Sequence, residues 1–191
     1  MEGYFDKEEF EYCVNEYKKE IDIVNICGVV LYSARNAHTN KVLKDKEFLN
    51  GLNEVSGKKV PVFYLADQGE SSGLVCDNLW VMEMFQIRST EDFPLLVLFK
   101  KNKDGTYSCM HVKLQDSNEA VFYNELCNLL DVVAKAVNRV DDNNFQCPDG
   151  VFSAVSHALT KYNQNKAMKS VFSDVYNLVN KMFVVDRIFP K

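Results

Sequence analysis

Six cysteines are the first candidates for chemistry in this sequence, because a thiolate can act as a nucleophile, a redox centre or a metal ligand. The closest two, Cys13 and Cys27, are fourteen residues apart, and the sequence contains no CxxC motif. Several of the cysteines lie in apolar periodic segments, where a free cysteine behaves as a small hydrophobic residue. The spacing therefore favours structural thiols. The six are Cys13, Cys27, Cys76, Cys109, Cys127 and Cys147.

The three histidines offer little support for a metal site or a catalytic base. His38, His111 and His157 show neither HxxH nor HxH spacing, so we expect no zinc site. The sequence also lacks the glycine-rich nucleotide motifs and the GxSxG elbow. We therefore predict no catalytic residue, no metal ligand and no cofactor.

The composition excludes several classes of protein. The 191 residues carry a formal net charge of -5, which argues against unspecific binding to nucleic acid. Residues 1–20 lack the basic and apolar regions of a secretory signal, and no apolar stretch is long enough to cross a membrane. These features predict a globular cytoplasmic protein without a nucleic-acid or membrane partner.

The hydrophobic pattern predicts alternating helices and strands. An amphipathic helix covers residues 5–21, and a buried strand covers residues 23–32. Further elements follow in the order helix, strand, helix, β-hairpin and long helix. The predictions are a helix ending at Ser56-Gly57, a strand over 60–66, a helix over 74–87, strands over 95–99 and 107–114 around an Asp-Gly turn, and a helix with Asp116 or Ser117 as N-cap.

The composition changes after Asn138, where residues 141–144 form a polar linker. Two further helical patterns follow and meet near residues 163–165 as a helical hairpin. We divide the chain into an N-terminal helix (1–22), a central domain (23–138), and a linker with the helical hairpin (139–191). The terminal helices are candidate docking or homodimerisation surfaces, and they could equally extend the core.

The order of the predicted elements is a βαβ unit followed by a ββα unit. Such an order produces an α/β fold with a mixed sheet covered by helices on both faces, which is the arrangement of the thioredoxin fold. Two segments resemble thioredoxins directly. Tyr32–Lys41 aligns without a gap on the active-site segment of that family, and Phe85–Lys100 is similar to the segment around its cis-proline. The resemblance implies that the Phe93-Pro94 bond is cis.

The sequence departs from thioredoxins where their chemistry takes place. Ala37 and Asn40 occupy the two cysteine positions of the family motif, with His38 and Thr39 between them. Dithiol exchange needs an activated thiolate and a resolving thiol at these positions. The resemblance therefore implies the fold without the oxidoreductase activity.

Our leading hypothesis is a redox-inactive, thioredoxin-like adaptor that binds a protein or peptide in a groove beside the cis-proline. The predicted binding residues are Ala37, His38, Thr39, Asn40, Asp67, Phe93 and Pro94. Asp67 is included because it follows a predicted parallel strand, where open α/β sheets bind ligands. His38 is a candidate base or ligand, although an ordinary polar loop residue is the simpler interpretation.

Two other functions stay open. The first is a glutathione- or thiol-dependent enzyme resembling glutathione transferases, in which Ser33 or Thr39 orients the thiol. Against it, the region after the linker is short for that family, and its tyrosine or serine motif is not recognisable. The second is a structural subunit of a larger assembly.

Overall fold

Five strands form one mixed sheet in the computed structural model of the chain, which describes residues 1–4, 6–20, 26–56, 60–65, 79–102, 104–140 and 150–164. Their order across the sheet is β1-β3-β2-β4-β5. β1, β3 and β2 are parallel, β4 is antiparallel to β2, and β5 is antiparallel to β4. The strands are β1 (Glu2–Tyr4), β2 (Cys27–Leu31), β3 (Val62–Leu65), β4 (Leu95–Lys101) and β5 (Tyr107–Lys113).

Four of these strands confirm the predicted apolar runs, and β2 lies at the centre of the sheet as expected. The first strand was not predicted, because three residues are too few to show the alternation by which strands are recognised. The N-terminal segment is therefore a strand followed by a helix, and its strand pairs with β3.

Six helices accompany the sheet in the described part of the chain. They are α1 (Lys7–Glu20), α2 (Ala37–Lys44), α3 (Lys46–Ser56), α4 (Leu79–Met84), α5 (Glu119–Arg139) and α6 (150–164). The single helix predicted before Ser56 is wrong, since Asp45 adopts an extended conformation and separates α2 from α3. The Asp45 carboxylate accepts a hydrogen bond from the Glu47 N–H at 2.8 Å, so it caps the start of α3.

The predicted N-cap of α5 also needs correction. Asn118 is the N-cap, and its side chain accepts a hydrogen bond from the Val121 N–H at 2.9 Å. Ser117 precedes the cap, while Asp116 bonds to another helix, as described below. Asp116, Ser117 and Asn118 are all residue types that cap helices, and only the path of the backbone decides which of them is the N-cap.

Aromatic side chains hold α1 and α4 against the sheet. The Phe10 ring of α1 lies 5.6 Å from Phe63 and 5.4 Å from Trp80, measured between ring centroids. Phe85, at the end of α4, lies 4.9 Å from Phe99 of β4. Phe10 is completely buried. The apolar face of α1 therefore belongs to the core of this chain, at least around Phe10.

A second group of helices consists of α2, α3 and α5. The Phe48 and Tyr123 rings of α3 and α5 lie 4.9 Å apart. Gly51 of α3 faces the same tyrosine, and a Cβ at this position would collide with the Tyr123 hydroxyl oxygen. Any larger residue at position 51 would therefore have to displace the Tyr123 hydroxyl, so glycine leaves room for this contact between α3 and α5.

The helix predicted first in the C-terminal region is confirmed as α6, whose Val151, Val155 and Leu159 are buried. The Asp67 loop, the polar linker and the second helix of the predicted hairpin lie outside the described residues. Among the described residues, none of the helices has the length and apolarity needed to cross a bilayer.

Candidate functional site

The start of α2 and the start of β4 lie side by side because of the register of the sheet. Leu31, the last residue of β2, pairs with Leu95, the first residue of β4. The turn that leads from β2 into α2 therefore meets the residues that precede β4. The Asn36 amide donates a hydrogen bond to the Phe93 carbonyl oxygen at 3.3 Å and joins the two segments. Both segments belong to the groove beside the cis-proline that the sequence analysis predicts.

The segment before β4 is held in place on both sides of Pro94. The Phe93-Pro94 peptide bond is cis, as predicted. The Phe93 N–H donates to the Thr90 carbonyl at 3.2 Å, and the Leu114 N–H donates to the Pro94 carbonyl at 2.9 Å. Phe93 and Pro94 are both buried. The Phe93 main chain therefore already uses its N–H group, and its carbonyl accepts the Asn36 amide.

Asn36 organises the turn before α2, and sequence analysis did not single it out. Its side-chain oxygen accepts hydrogen bonds from the N–H and the hydroxyl of Ser33, at 2.9 Å and 3.1 Å. The Asn40 amide closes the turn by donating to the carbonyls of Ser33 and Asn36. Because the Asn36 amide is used in this way, it makes no capping bond to α2.

A carboxylate from elsewhere in the chain caps α2 instead. One oxygen of Asp116 accepts hydrogen bonds from the Thr39 N–H at 2.7 Å and from the Thr39 hydroxyl at 2.8 Å. Thr39 is fully buried. An anion is favoured at this position because the helix dipole and the unpaired N–H groups make a helix N-terminus electropositive. The chain therefore supplies its own anion at the start of α2.

His38 faces the beginning of α5. Its buried Nδ1 atom lies 3.9 Å from the Glu119 Oε1 atom and has no hydrogen-bond partner among the residues that the structure describes. The same Glu119 oxygen accepts a hydrogen bond from the Lys41 ammonium at 2.8 Å. The Lys41 hydrogen bond lowers the pKa of Glu119, and the His38 charge makes a smaller contribution in the same direction. Lys41 and His38 thus share one carboxylate.

A cleft of about 610 Å³ opens beside Pro94. Its walls include Pro94, Asp116, Ser117 and the residues that follow β5, among them Gln115. Lys113, at its rim, forms an ion pair with Asp92 at 2.9 Å. Of the predicted binding residues, Phe93 and Pro94 line this cleft, and Thr39 is connected to it through Asp116. Ala37, His38 and Asn40 lie at the start of α2, outside the lining, and Asp67 is outside the described residues.

Cys27, Cys109 and Cys127 are free thiols and belong to β2, β5 and α5, not to the start of α2. Burial raises the pKa of Cys27 to about 12, and it also raises the pKa values of Cys109 and Cys127. The Cys109 Sγ atom lies 3.4 Å from the His111 Nε2 atom and 3.7 Å from the Phe85 carbonyl oxygen. Sequence analysis missed this pair, although residues two apart on a strand share a face.

Within the described ranges, no cluster of three or more His, Cys, Asp or Glu side chains is placed to hold a metal ion. No protein-family model, curated protein or solved structure matches this chain. The arrangement of residues around Pro94 is therefore the basis of the functional proposal.

Proposed function

We propose that this chain is a redox-inactive, thioredoxin-like adaptor that binds an extended peptide segment of a partner protein in the cleft beside Pro94. The observation that carries the proposal is the placement of the α2 start, the Phe93-Pro94 turn and the cleft at one end of the sheet. The strand order and directions agree with the thioredoxin arrangement.

The start of α2 supports a binding role over thiol chemistry. Ala37 and Asn40 provide no sulfur, and the Asp116 carboxylate occupies the electropositive end of the helix, where a thiolate would otherwise be stabilised. Because Asp116 also lines the cleft, its hydrogen bonds to Thr39 fix one wall of the binding surface. Cys27, Cys109 and Cys127 are free thiols, which agrees with the reducing cytoplasm that the proposal includes.

The glutathione-dependent alternative receives no comparable support. It would use the hydroxyl of Ser33 or Thr39 to orient a thiol. The Ser33 hydroxyl donates to Asn36 and the Thr39 hydroxyl donates to Asp116, so both hydroxyl hydrogens are engaged within the chain.

A peptide-binding experiment tests the proposal. Phage-displayed random dodecapeptides are selected on the full chain, and the affinity of each enriched peptide is measured by fluorescence polarisation. Ser117 is exposed and lines the cleft, so Ser117→Arg should fill the cleft without disturbing the core. We expect about tenfold weaker binding or more.

The matched control is Asn50→Arg, which adds the same charge at an exposed position of α3. This variant should bind the peptides as tightly as the unchanged chain. Equal affinities for the Ser117→Arg and unchanged chains would contradict the proposed use of the cleft.

A further inference from the structure

The sheet ends on one side with β5, whose seven residues pair only with β4 among the strands of the described chain. The register is continuous from Lys101 opposite Tyr107 to Leu95 opposite Lys113. β5 therefore contains no bulge along its length. Each of its residues must direct its main-chain N–H and C=O either towards β4 or away from the sheet.

Hydrogen bonds at both ends of the hairpin identify which residues face outward. The Leu114 N–H donates to the Pro94 carbonyl, and the Asn102 N–H donates to the Thr106 carbonyl. In an antiparallel pair, hydrogen-bonded and non-hydrogen-bonded residue pairs alternate. The even-numbered residues of β5 therefore bond to β4. The outward main-chain groups belong to Tyr107, Cys109, His111 and Lys113.

These outward groups form an open row along the sheet edge. Within the residues that the structure describes, no hydrogen bond to the outward N–H and C=O groups of β5 is present. The edge also lacks the features that commonly block pairing, namely a proline, a bulge or a free inward-pointing charge. Its lysine, Lys113, forms an ion pair with Asp92.

The Phe93 main chain is less suited to receive a peptide strand. Its N–H already donates to the Thr90 carbonyl, and its carbonyl accepts the Asn36 amide. A peptide in the cleft therefore finds no unused N–H group on Phe93 with which to pair. The nearest open row begins at Lys113, which belongs both to the rim of the cleft and to β5.

We propose that the partner segment pairs with the outer edge of β5 as an additional strand and extends past Lys113 into the cleft. This inference rests on the proposed peptide-binding function and specifies where the main chain of the peptide is held. An extended peptide is the ligand that fits, because alternating N–H and C=O groups along a strand edge are complementary to another extended backbone.

The side chains of β5 indicate the chemistry of the segment. One side of the edge carries Cys109 and the exposed His111, and the other carries the half-buried Met110. Residues 107–112 include no acidic or basic side chain other than the histidine. We expect a partner segment with uncharged side chains beside Met110 and without proline at the positions that donate to β5.

The test uses the selected dodecapeptides and two substitutions of one residue. His111→Pro removes an outward N–H and leaves the β4 pairing intact, whereas His111→Gln removes the imidazole and keeps the N–H. We expect His111→Pro to weaken binding by about tenfold or more, through the lost hydrogen bond and the steric block of the proline ring. His111→Gln should bind within about twofold of the unchanged chain.

A second measurement does not depend on a variant. Saturating peptide should slow the amide hydrogen exchange of Cys109 and His111, observed by NMR on the full chain. If Ser117→Arg weakens peptide binding and His111→Pro does not, this inference is overturned and the cleft proposal stays intact. A homodimer that dissociates on His111→Pro would also overturn it, because the edge would then belong to a second copy of the chain.

Discussion

The start of α2 and the outer edge of β5 differ in how their main-chain groups are satisfied. At the start of α2, the Asp116 carboxylate binds the N–H and the hydroxyl of Thr39. On β5, the outward groups of Cys109 and His111 have no hydrogen-bond partner in the described part of the chain. Both regions adjoin the same cleft, because Asp116 and Lys113 lie in its walls.

The two regions therefore differ in how much main-chain pairing capacity they have left. A helix N-terminus that receives a carboxylate from its own chain has little remaining capacity for another anion. An unpaired sheet edge keeps backbone donors and acceptors that can pair with another strand, provided that proline, a bulge or charge does not block it. The start of α2 is thus occupied by the chain itself, whereas the outward main-chain groups of β5 have no partner within the described residues.

The largest expected effect is on the free energy of unfolding, and it distinguishes the residues of β5 that bond to β4 from those that face outward. Met110→Pro removes an N–H that bonds to β4 and should lower the free energy of unfolding by about 1 to 3 kcal/mol relative to Met110→Ala. His111→Pro removes an outward N–H and should cost less than about 1 kcal/mol. Urea unfolding followed by circular dichroism measures both. Similar losses for the two proline variants would contradict the assigned alternation.

An intermediate effect is expected at the cap of α2. Asp116→Ala leaves the N–H and the hydroxyl of buried Thr39 without their acceptor and should lower the unfolding free energy by about 1 to 2 kcal/mol. Ser117→Ala changes the neighbouring exposed residue and should stay within about 0.5 kcal/mol. Equal stabilities of the two variants would mean that the Asp116 bond is not formed in solution.

The smallest effect concerns the titration of Glu119. Its lowered pKa means that the Lys41 and His38 contacts stabilise the fold at neutral pH, and that this contribution is lost as the pH falls through the pKa of Glu119 in the folded chain. Lys41→Ala should raise this pKa towards the ordinary glutamate value of 4.5, and His38→Ala should raise it less. NMR titration of the Glu119 side chain in each variant measures which substitution raises its pKa more. A larger rise with His38→Ala would reverse our assignment of the main partner.

The sequence predicted the elements whose hydrophobic pattern is long or strongly apolar. β2, β4 and α5 follow from such patterns, and Gly105, with a φ of 86°, confirms the Asp-Gly turn of the hairpin. β1 was too short to be recognised. The interruption between α2 and α3 arises because Asp45 is extended and does not continue the helix. The spacing of the apolar residues around it does not reveal this.

The candidate site was less predictable because its main bonds join distant parts of the chain. Thr39 and Asp116 are 77 residues apart, and Asn36 and Phe93 are 57 residues apart. The resemblance to thioredoxins placed the α2 start beside Pro94 but gave no reason to select Asn36 or Asp116. The open edge of β5 required the register of the hairpin, which the turn residues suggest and only the paired backbone establishes.

Amide hydrogen exchange in the free chain tests the central comparison most directly. We expect slow exchange for the Thr39 N–H, which donates to Asp116, and for the even-numbered residues of β5. We expect fast exchange for the outward N–H groups of Cys109, His111 and Lys113. Slow exchange along the whole of β5, or fast exchange at Thr39, would contradict the difference between the two regions.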